Sequence, residues 1–179
     1  MQIIKLLLIL ATLFWCASWA DIDRPLSVCE VVSNRDKYRG EIVAVRGRVK
    51  GGGHGIFLAP DVECKYVLKT NGIVWPNIIN LTLPNNHSKD PDVHAPFRPD
   101  WLSLRKADVY CSRQGYAANL DIEVATYIGL FVTYVNLADR VSPGVPGAPR
   151  LGFGPTGLGA PTQLVIRSVR DVTITKNAK

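Results

Sequence analysis

Hydrophobic and polar residues alternate over several short stretches of the chain, and this pattern predicts a mainly β protein. The clearest stretch is the segment 41–50, where valine or glycine occupies every second position. One face of this predicted strand carries Val43, Val45, Gly47 and Val49. The opposite face carries Ile42, Ala44, Arg46, Arg48 and Lys50. The strand is therefore expected to be half-buried, with Gly47 marking a bend or bulge as at the corner of a barrel.

Further stretches have the composition of strands. Residues 56–59 follow a glycine-rich turn at 51–55, and the segment 66–70 precedes Asn71-Gly72, a dipeptide typical of a tight β-hairpin. The segment 73–83 is then expected to pair back or to continue the sheet. Other strands are predicted where Val, Ile, Tyr, Phe and Thr are prominent, at 107–113, 122–135 and 163–175.

A short helix is predicted ahead of these strands, over Pro25–Tyr38. Ser27 can cap this helix, and Glu30 follows three residues later, which is the spacing of a capping box. Arg39-Gly40 then ends the segment. One leading helix, several short strands and long glycine-bearing loops favour a small barrel over a sheet of alternating strands and helices.

The first 20 residues have the pattern of a signal peptide. Lys5 supplies a positive charge and an apolar run follows at 6–15. Ser18 and Ala20 are the small residues that signal peptidase needs before its cleavage site. Such a run is too short to cross a bilayer as a helix. We therefore expect a periplasmic or secreted protein with no transmembrane span in its mature chain; an uncleaved anchor and lipidation of Cys16 are the alternatives.

Cleavage after Ala20 changes the charge and the number of cysteines. The mature chain has 179 − 20 = 159 residues, and loss of Lys5 lowers its formal net charge from +6 to +5. So small an excess permits an anionic partner but does not demand one. Cys29, Cys64 and Cys111 remain, so an oxidising compartment allows one disulfide and one leftover thiol. All three pairings are open, and Cys29 and Cys64 are the candidates we name.

The mature chain is expected to form a single domain over residues 21–179. Residues 84–113 begin with a polar, proline-interrupted stretch and are interpreted as an insertion. Residues 142–162 contain five Pro and six Gly, which predicts a long loop.

Two parts of this chain resemble exported bacterial OB-like domains of uncharacterised function. The first is Lys37-Tyr38-Arg39-Gly40 leading into VAVRGRV, after a short helix that contains a Cys. The second is Gly152-Phe153-Gly154 and Gly159-Ala160-Pro161, followed by QLVIRSVRDVTI. The resemblance covers roughly residues 25–83 and 120–175. It implies a small OB-like β-barrel with a short N-terminal helix and long loops, and it implies no particular activity.

An OB-like barrel offers its ligand the face of its second and third strands and the loops around that face. By this analogy the candidate ligand-binding surface includes Phe57, Tyr66 and Trp75, together with the loops at 51–55 and 142–162. His54 lies within the first of these loops and is a candidate for ligand contact. The glycines around it do not form a phosphate-binding loop, because no Lys-Ser/Thr ending and no helix follow.

A row of basic residues is the second candidate for ligand binding. Arg46, Arg48 and Lys50 share one face of one predicted strand. Beside aromatic side chains, such a row can follow a phosphate backbone while Tyr66 or Trp75 stacks on bases. The simpler interpretation is a solvated barrel face that discourages pairing between strand edges.

A cluster of imidazoles and carboxylates lies within the predicted insertion. It consists of His87, Asp90, Asp92 and His94. These residue types can bind zinc or another divalent ion, and a site with an open position can activate water. The spacing matches no established metal motif, and the prolines around it indicate an extended loop. A polar surface loop is therefore the alternative to a metal site.

These observations lead to one prediction of function and two alternatives. The chain lacks a Gly-x-Ser-x-Gly turn, and we expect no enzymatic activity and no cofactor. The main prediction is an exported, non-catalytic binding or interaction module, whose partner is an anionic or oligomeric ligand or an envelope protein. One alternative is a metal-assisted hydrolase that uses the His/Asp loop with a divalent ion. The other is a nucleic-acid-binding OB domain.

Overall fold

The computed structural model describes residues 24–52, 55–70, 72–106, 122–137, 152–153 and 159–174. The strands are β1 (Leu26–Ser27), β2 (Ile42–Gly52), β3 (Gly55–Ala59), β4 (Lys69–Thr70), β5 (Ile73–Val74), β6 (Ile79–Thr82), β7 (Ile122–Thr133) and β8 (Thr162–Ile174). The helices are α1 (Val28–Ser33), α2 (Arg35–Tyr38) and α3 (Trp101–Lys106), with a 3₁₀ turn at Pro91–Val93. The protein is thus mainly β, as the sequence predicts.

Five of the strands close into a mixed barrel in the order β2-β3-β6-β8-β7, and β7 returns to β2. The closing pair is antiparallel, with Ile42 opposite Leu130 and Arg48 opposite Val124. The β6–β8 pair alone among these five is parallel, with Ile79 opposite Thr162. This strand order is consistent with a small OB-like barrel, and the predicted fold class is confirmed.

The long strand β2 has the two faces that its alternation predicts. Val43, Val45 and Val49 are buried in the core, whereas Arg48 and Lys50 are exposed. Ala44 on the second face is buried as well, so that face is only partly open to solvent.

Gly47 lies where β2 meets both α1 and β3. A Cβ atom at this position would lie 2.7 Å from the carbonyl oxygen of Ala59 and 2.8 Å from Cγ2 of Val28. The pairing of β2 with β7 runs through this position without a register shift. The glycine is therefore required here by close approach of neighbouring segments, and no bulge marks the position in that pair.

The N-terminal helix is shorter and more divided than predicted. The predicted cap is present, because Ser27 Oγ accepts a hydrogen bond from the Glu30 amide at 3.1 Å. However, Leu26–Ser27 forms β1, which pairs parallel to β2. The helix also breaks at Asn34, whose backbone N–H and side-chain Nδ2 both donate to the Glu30 carbonyl. Asn34 is the C-cap of α1, with φ −112° and ψ 29° outside the helical region, and α2 begins at Arg35.

Two helices contribute side chains to the barrel core. α1 contributes Val28, Val31 and Val32, and α3 contributes Leu104, all of them buried in the main core cluster. α3 also covers the edge of β8 beyond the short β6 strand. There the Asp100 amide donates to the Arg167 carbonyl at 2.7 Å, and Ser103 Oγ accepts from the Val169 amide at 3.2 Å. These bonds satisfy backbone groups that a strand edge would otherwise expose.

The Asn71-Gly72 hairpin is confirmed. β4 and β5 pair antiparallel with Thr70 opposite Ile73, and Gly72 has φ +78°, which favours glycine. The strand predicted over 66–70 is limited to Lys69–Thr70, because β4 and β5 form a separate two-stranded sheet outside the barrel. The later prediction of a strand from 163 to 175 is confirmed by β8.

Cys29 and Cys64 form a disulfide, which selects one of the three pairings left open by the sequence. The bond ties α1 to the connection between β3 and β4 across 35 positions of sequence. A disulfide that closes a loop of this length stabilises the fold by roughly 3–4 kcal/mol in the chain-entropy estimate. Cys111, His54, the strand predicted at 107–113 and the predicted signal peptide lie outside the described residues. Within the described ranges, no helix has the length and apolar character needed to cross a membrane.

Candidate functional site

The outer face of the barrel carries one row of side chains that runs across four strands. The register places Lys50 opposite Phe57, Phe57 opposite Asn80, and Asn80 opposite Gln163. Their chain neighbours Val49, Leu58, Ile79 and Leu164 belong to the core cluster. Because successive side chains of a strand point to opposite faces, this row lies on the outside of the barrel.

The middle of the row is covered by the chain itself. Phe57 packs with Phe153 and Ala160 in a second, smaller hydrophobic cluster. Phe153 and Ala160 exchange two backbone hydrogen bonds of 2.8 and 2.9 Å, which join the two arms of the connection between β7 and β8. The ring of Tyr134 stacks on Phe153 with 4.2 Å between centroids and 3° between planes. The described part of the predicted Gly/Pro-rich loop thus lies over Phe57.

The next two members of the row are tied to the predicted insertion. Asn80 Nδ2 donates a hydrogen bond of 2.7 Å to Gln163 Oε1, and both side chains are buried. Gln163 Nε2 in turn donates to the Asp92 carbonyl at 2.7 Å. A buried amide without partners costs about 1–3 kcal/mol, so this chain of bonds holds the insertion against the barrel.

The other end of the row remains open and basic. Arg48 and Lys50 are exposed, and Arg46 is half-buried beside them on β2. Arg46 Nη1 donates to Thr126 Oγ1 at 3.4 Å and to the Asp171 carbonyl at 3.2 Å. These contacts hold the Arg46 guanidinium against β7 and β8.

Arg170 joins these residues from β8. Arg46 lies opposite Thr126, and Thr126 lies opposite Arg170, so the three share one line across the barrel. Arg170 Nε is also 3.5 Å from the carboxylate of Asp171. Asp171 has φ +52° and lies at a register shift of the β7–β8 pair. We call Arg46, Arg48, Lys50 and Arg170 the basic face.

The aromatic residues named from the sequence do not form a platform beside the basic face. Phe57 is buried beneath Phe153, and Trp75 is 1% exposed and belongs to the core. Tyr66 is 47% exposed, but it precedes the β4–β5 hairpin and does not lie on a barrel strand. Of the predicted ligand-binding residues that the structure describes, only Arg46 and Arg48 lie together on an accessible part of the barrel.

The His/Asp loop is organised by its own backbone. His94 Nε2 is 2.8 Å from the Ser88 carbonyl and must therefore carry the proton that it donates. Asp90 Oδ1 accepts from the Asp92 amide at 2.9 Å and caps the 3₁₀ turn. The exposed His87 donates its backbone N–H to Asn85 Oδ1 at 3.2 Å. In the described ranges, no three His, Cys, Asp or Glu side chains are arranged to hold a metal ion.

Sequence reasoning missed the residues that cover the outer face. Asn80 and Gln163 were visible as polar amides within otherwise apolar strands, which indicates that each needs a buried partner. Their pairing across 83 positions was not visible, because it depends on the parallel register of β6 and β8. Phe153 belongs to a recognisable glycine-flanked motif, but its contact with Phe57 follows only from the folded loop.

The fold and this face define a small, closed β-barrel protein whose outer sheet surface is partly covered by its own loops. No protein-family model, curated protein or solved structure matches this chain.

Proposed function

We propose that this protein is an exported, non-catalytic binding module that contacts an anionic partner through its basic face. The observation that carries the proposal is the division of the outer barrel surface. Phe57, Asn80 and Gln163 are covered by the chain itself, whereas Arg48 and Lys50 on the neighbouring strand are exposed. A surface with an excess of positive charge attracts an anionic partner and speeds its association.

Two features support export. The Cys29–Cys64 disulfide is of the kind that forms and persists in oxidising compartments. The pattern of the first 20 residues independently predicts a signal peptide. Together they support a periplasmic or secreted location.

The basic face is well ordered for binding. Arg46 is held by Thr126 and by the Asp171 carbonyl, so its side chain loses less conformational freedom on contact with a ligand. Arg48 and Lys50 lie two positions apart on a strand that pairs on both sides at Arg48. The charges are therefore presented by a rigid backbone, at a spacing of about 6.7 Å along the strand.

Contact through charge is favoured over contact through stacked bases. Base stacking requires an exposed aromatic ring beside the cationic row. Phe57 packs against Phe153, and Trp75 is in the core, so neither ring is presented to a ligand. We therefore propose an anionic partner in general, with nucleic acid as the narrower alternative.

Heparin, a sulfated polysaccharide, is a suitable probe for this proposal. We expect salt-sensitive binding that weakens in Arg48→Gln/Lys50→Gln, with the slope of log affinity against log salt reduced by about 1 per cation. The control is Lys37→Gln/Arg39→Gln, which removes the same charge from exposed positions in and after α2. Equal losses in both variants would contradict the proposal, because only net charge would then matter.

A pair of oligonucleotides tests the nucleic-acid alternative. A single strand and an abasic strand of the same length carry the same phosphates, so we expect both to bind equally. Clearly tighter binding of the strand with bases would favour the nucleic-acid alternative.

A further inference from the structure

The β4–β5 hairpin and the segment just before it expose apolar side chains outside the barrel. Tyr66, Val67 and Val74 are 47%, 44% and 46% exposed, and Val62 nearby is 67% exposed. Isolated exposed apolar residues are common, but a concentration within one short stretch of the chain indicates an interaction surface. We call Lys65, Tyr66, Val67, Lys69 and Val74 the hairpin surface.

The hairpin has two distinct faces. Leu68 and Trp75 belong to the main core cluster and are linked by a 2.8 Å hydrogen bond from the Trp75 amide to the Leu68 carbonyl. Lys69 and Val74 lie opposite each other, one position closer to the turn on each strand, and both are exposed. The exposed valine therefore lies on the side of the hairpin away from the core.

The hairpin surface is held in place. The Cys29–Cys64 disulfide fastens the segment just before it to α1. Asn77 Nδ2 donates a 3.0 Å hydrogen bond to the Tyr66 carbonyl and closes the base of the hairpin. Leu68 and Trp75 anchor its inner face in the core. The apolar side chains are thus presented outward by a fixed support.

The charges within the hairpin segment itself have one sign. From Cys64 to Lys89 the chain contains three lysines and no Asp or Glu. Lys65 and Lys69 are exposed within the hairpin surface itself. Asp61 and Glu63 are exposed as well, but they precede the disulfide. An occupant that complements the hairpin surface must offer both an apolar environment and negative charge.

An anionic lipid surface combines these properties, and we propose that the hairpin surface docks there. Val67 and Val74 would enter the boundary between headgroups and acyl chains. Tyr66 has the amphipathic ring typical of that boundary. Lys65 and Lys69 can extend their ammonium groups to acidic headgroups while their stems stay in apolar surroundings. This inference goes beyond the proposed function and uses different residues from the basic face.

Vesicle co-sedimentation tests the proposal, with phosphatidylcholine vesicles that do or do not contain phosphatidylglycerol. All variants are produced by export from one bacterial host with the same N-terminus, so that any effect of residues 1–20 is common to them. We expect binding to the acidic vesicles to fall at least tenfold in Val67→Asp/Val74→Asp. Lys65→Gln/Lys69→Gln should lose about fivefold per lysine. Val135→Asp, at a valine exposed after β7, should bind like the wild type.

Three results would overturn the proposal. The first is absence of binding to acidic vesicles, and the second is unchanged vesicle binding in Val67→Asp/Val74→Asp. The third is a wild-type dimer in analytical ultracentrifugation that is absent in this variant. The last result would identify a second copy of the chain as the occupant. Arg48→Gln/Lys50→Gln distinguishes the two proposals, because it should weaken heparin binding and leave at least half of the vesicle binding intact. Circular dichroism confirms that each variant is folded.

Discussion

Asn80 and Gln163 are joined side chain to side chain across the parallel β6–β8 pair, with 2.7 Å between Nδ2 and Oε1. Both are buried, and Gln163 extends the contact to the Asp92 carbonyl. The two bonds therefore link the parallel β6–β8 pair of the barrel to the segment between β6 and β7.

This link predicts a coupled loss of stability. Asn80→Ala and Gln163→Ala should each lower the free energy of unfolding by about 1–3 kcal/mol, because each leaves a buried amide without its partner. The double variant should lose less than the sum, with a coupling energy of about 0.5–3 kcal/mol. Urea unfolding of the four proteins measures this. Strict additivity would show that the two amides do not act together.

Gly47→Ala should destabilise the barrel by about 1–3 kcal/mol, the typical effect of forcing extra volume into a packed core. The added Cβ would meet the Ala59 carbonyl at 2.7 Å and Val28 Cγ2 at 2.8 Å. Thermal and urea unfolding are the measurements.

A second substitution separates the two contacts at Gly47. Val28→Ala removes the side-chain contact but leaves the Ala59 carbonyl in place. The double variant Gly47→Ala/Val28→Ala should therefore remain less stable than Val28→Ala alone. Full recovery would mean that the backbone of β3 can move away, against the expectation from its pairing with β2 and β6.

Phe153→Ala should uncover Phe57 and loosen the base of the β7–β8 connection. Replacing a buried Phe by Ala lowers the free energy of unfolding by about 3–5 kcal/mol. The stacking contact with Tyr134 is lost as well. Hydrogen exchange should show faster exchange at the Ala160 amide, which donates to the Phe153 carbonyl. Amides in the middle of β2 should keep their relative order of protection.

Phe153→Leu provides the matched control for this prediction. Leucine keeps an apolar contact on Phe57 but removes the ring that stacks on Tyr134, so its loss of stability should be clearly smaller. If both variants exchanged at the Ala160 amide like the wild type, the contact between Phe153 and Phe57 would not hold the loop.

The strand and turn predictions that succeeded depend on neighbours in the chain. The alternation along β2, the Ser27 cap and the Asn71-Gly72 hairpin each arise from interactions within a few residues. The prediction of a single helix was wrong at Asn34, where the backbone leaves the helical region with φ −112° and ψ 29° and α1 ends. The basic row on β2 was equally visible from period-two alternation.

The site could be predicted only in part, because its accessible surface depends on which segments cover it. Phe57 was a candidate for ligand contact by its place on an outward face. Its burial is decided by Phe153, which is 96 positions later in the sequence and reaches it only after the barrel has closed. Trp75 is likewise a candidate stacking platform from the sequence alone, but it lies in the core because the hairpin packs on the barrel.

Local patterns in the sequence were thus sufficient for the mainly β class, the half-buried character of β2, the hairpin and the basic row. The tertiary structure decided the Cys29–Cys64 pairing, the need for glycine at position 47, and the division of the outer surface into covered and open parts. The physical reason is the range of the interactions. Alternation, caps and turns are set by adjacent residues, whereas pairing and burial arise from contacts between segments that only the closed barrel brings together.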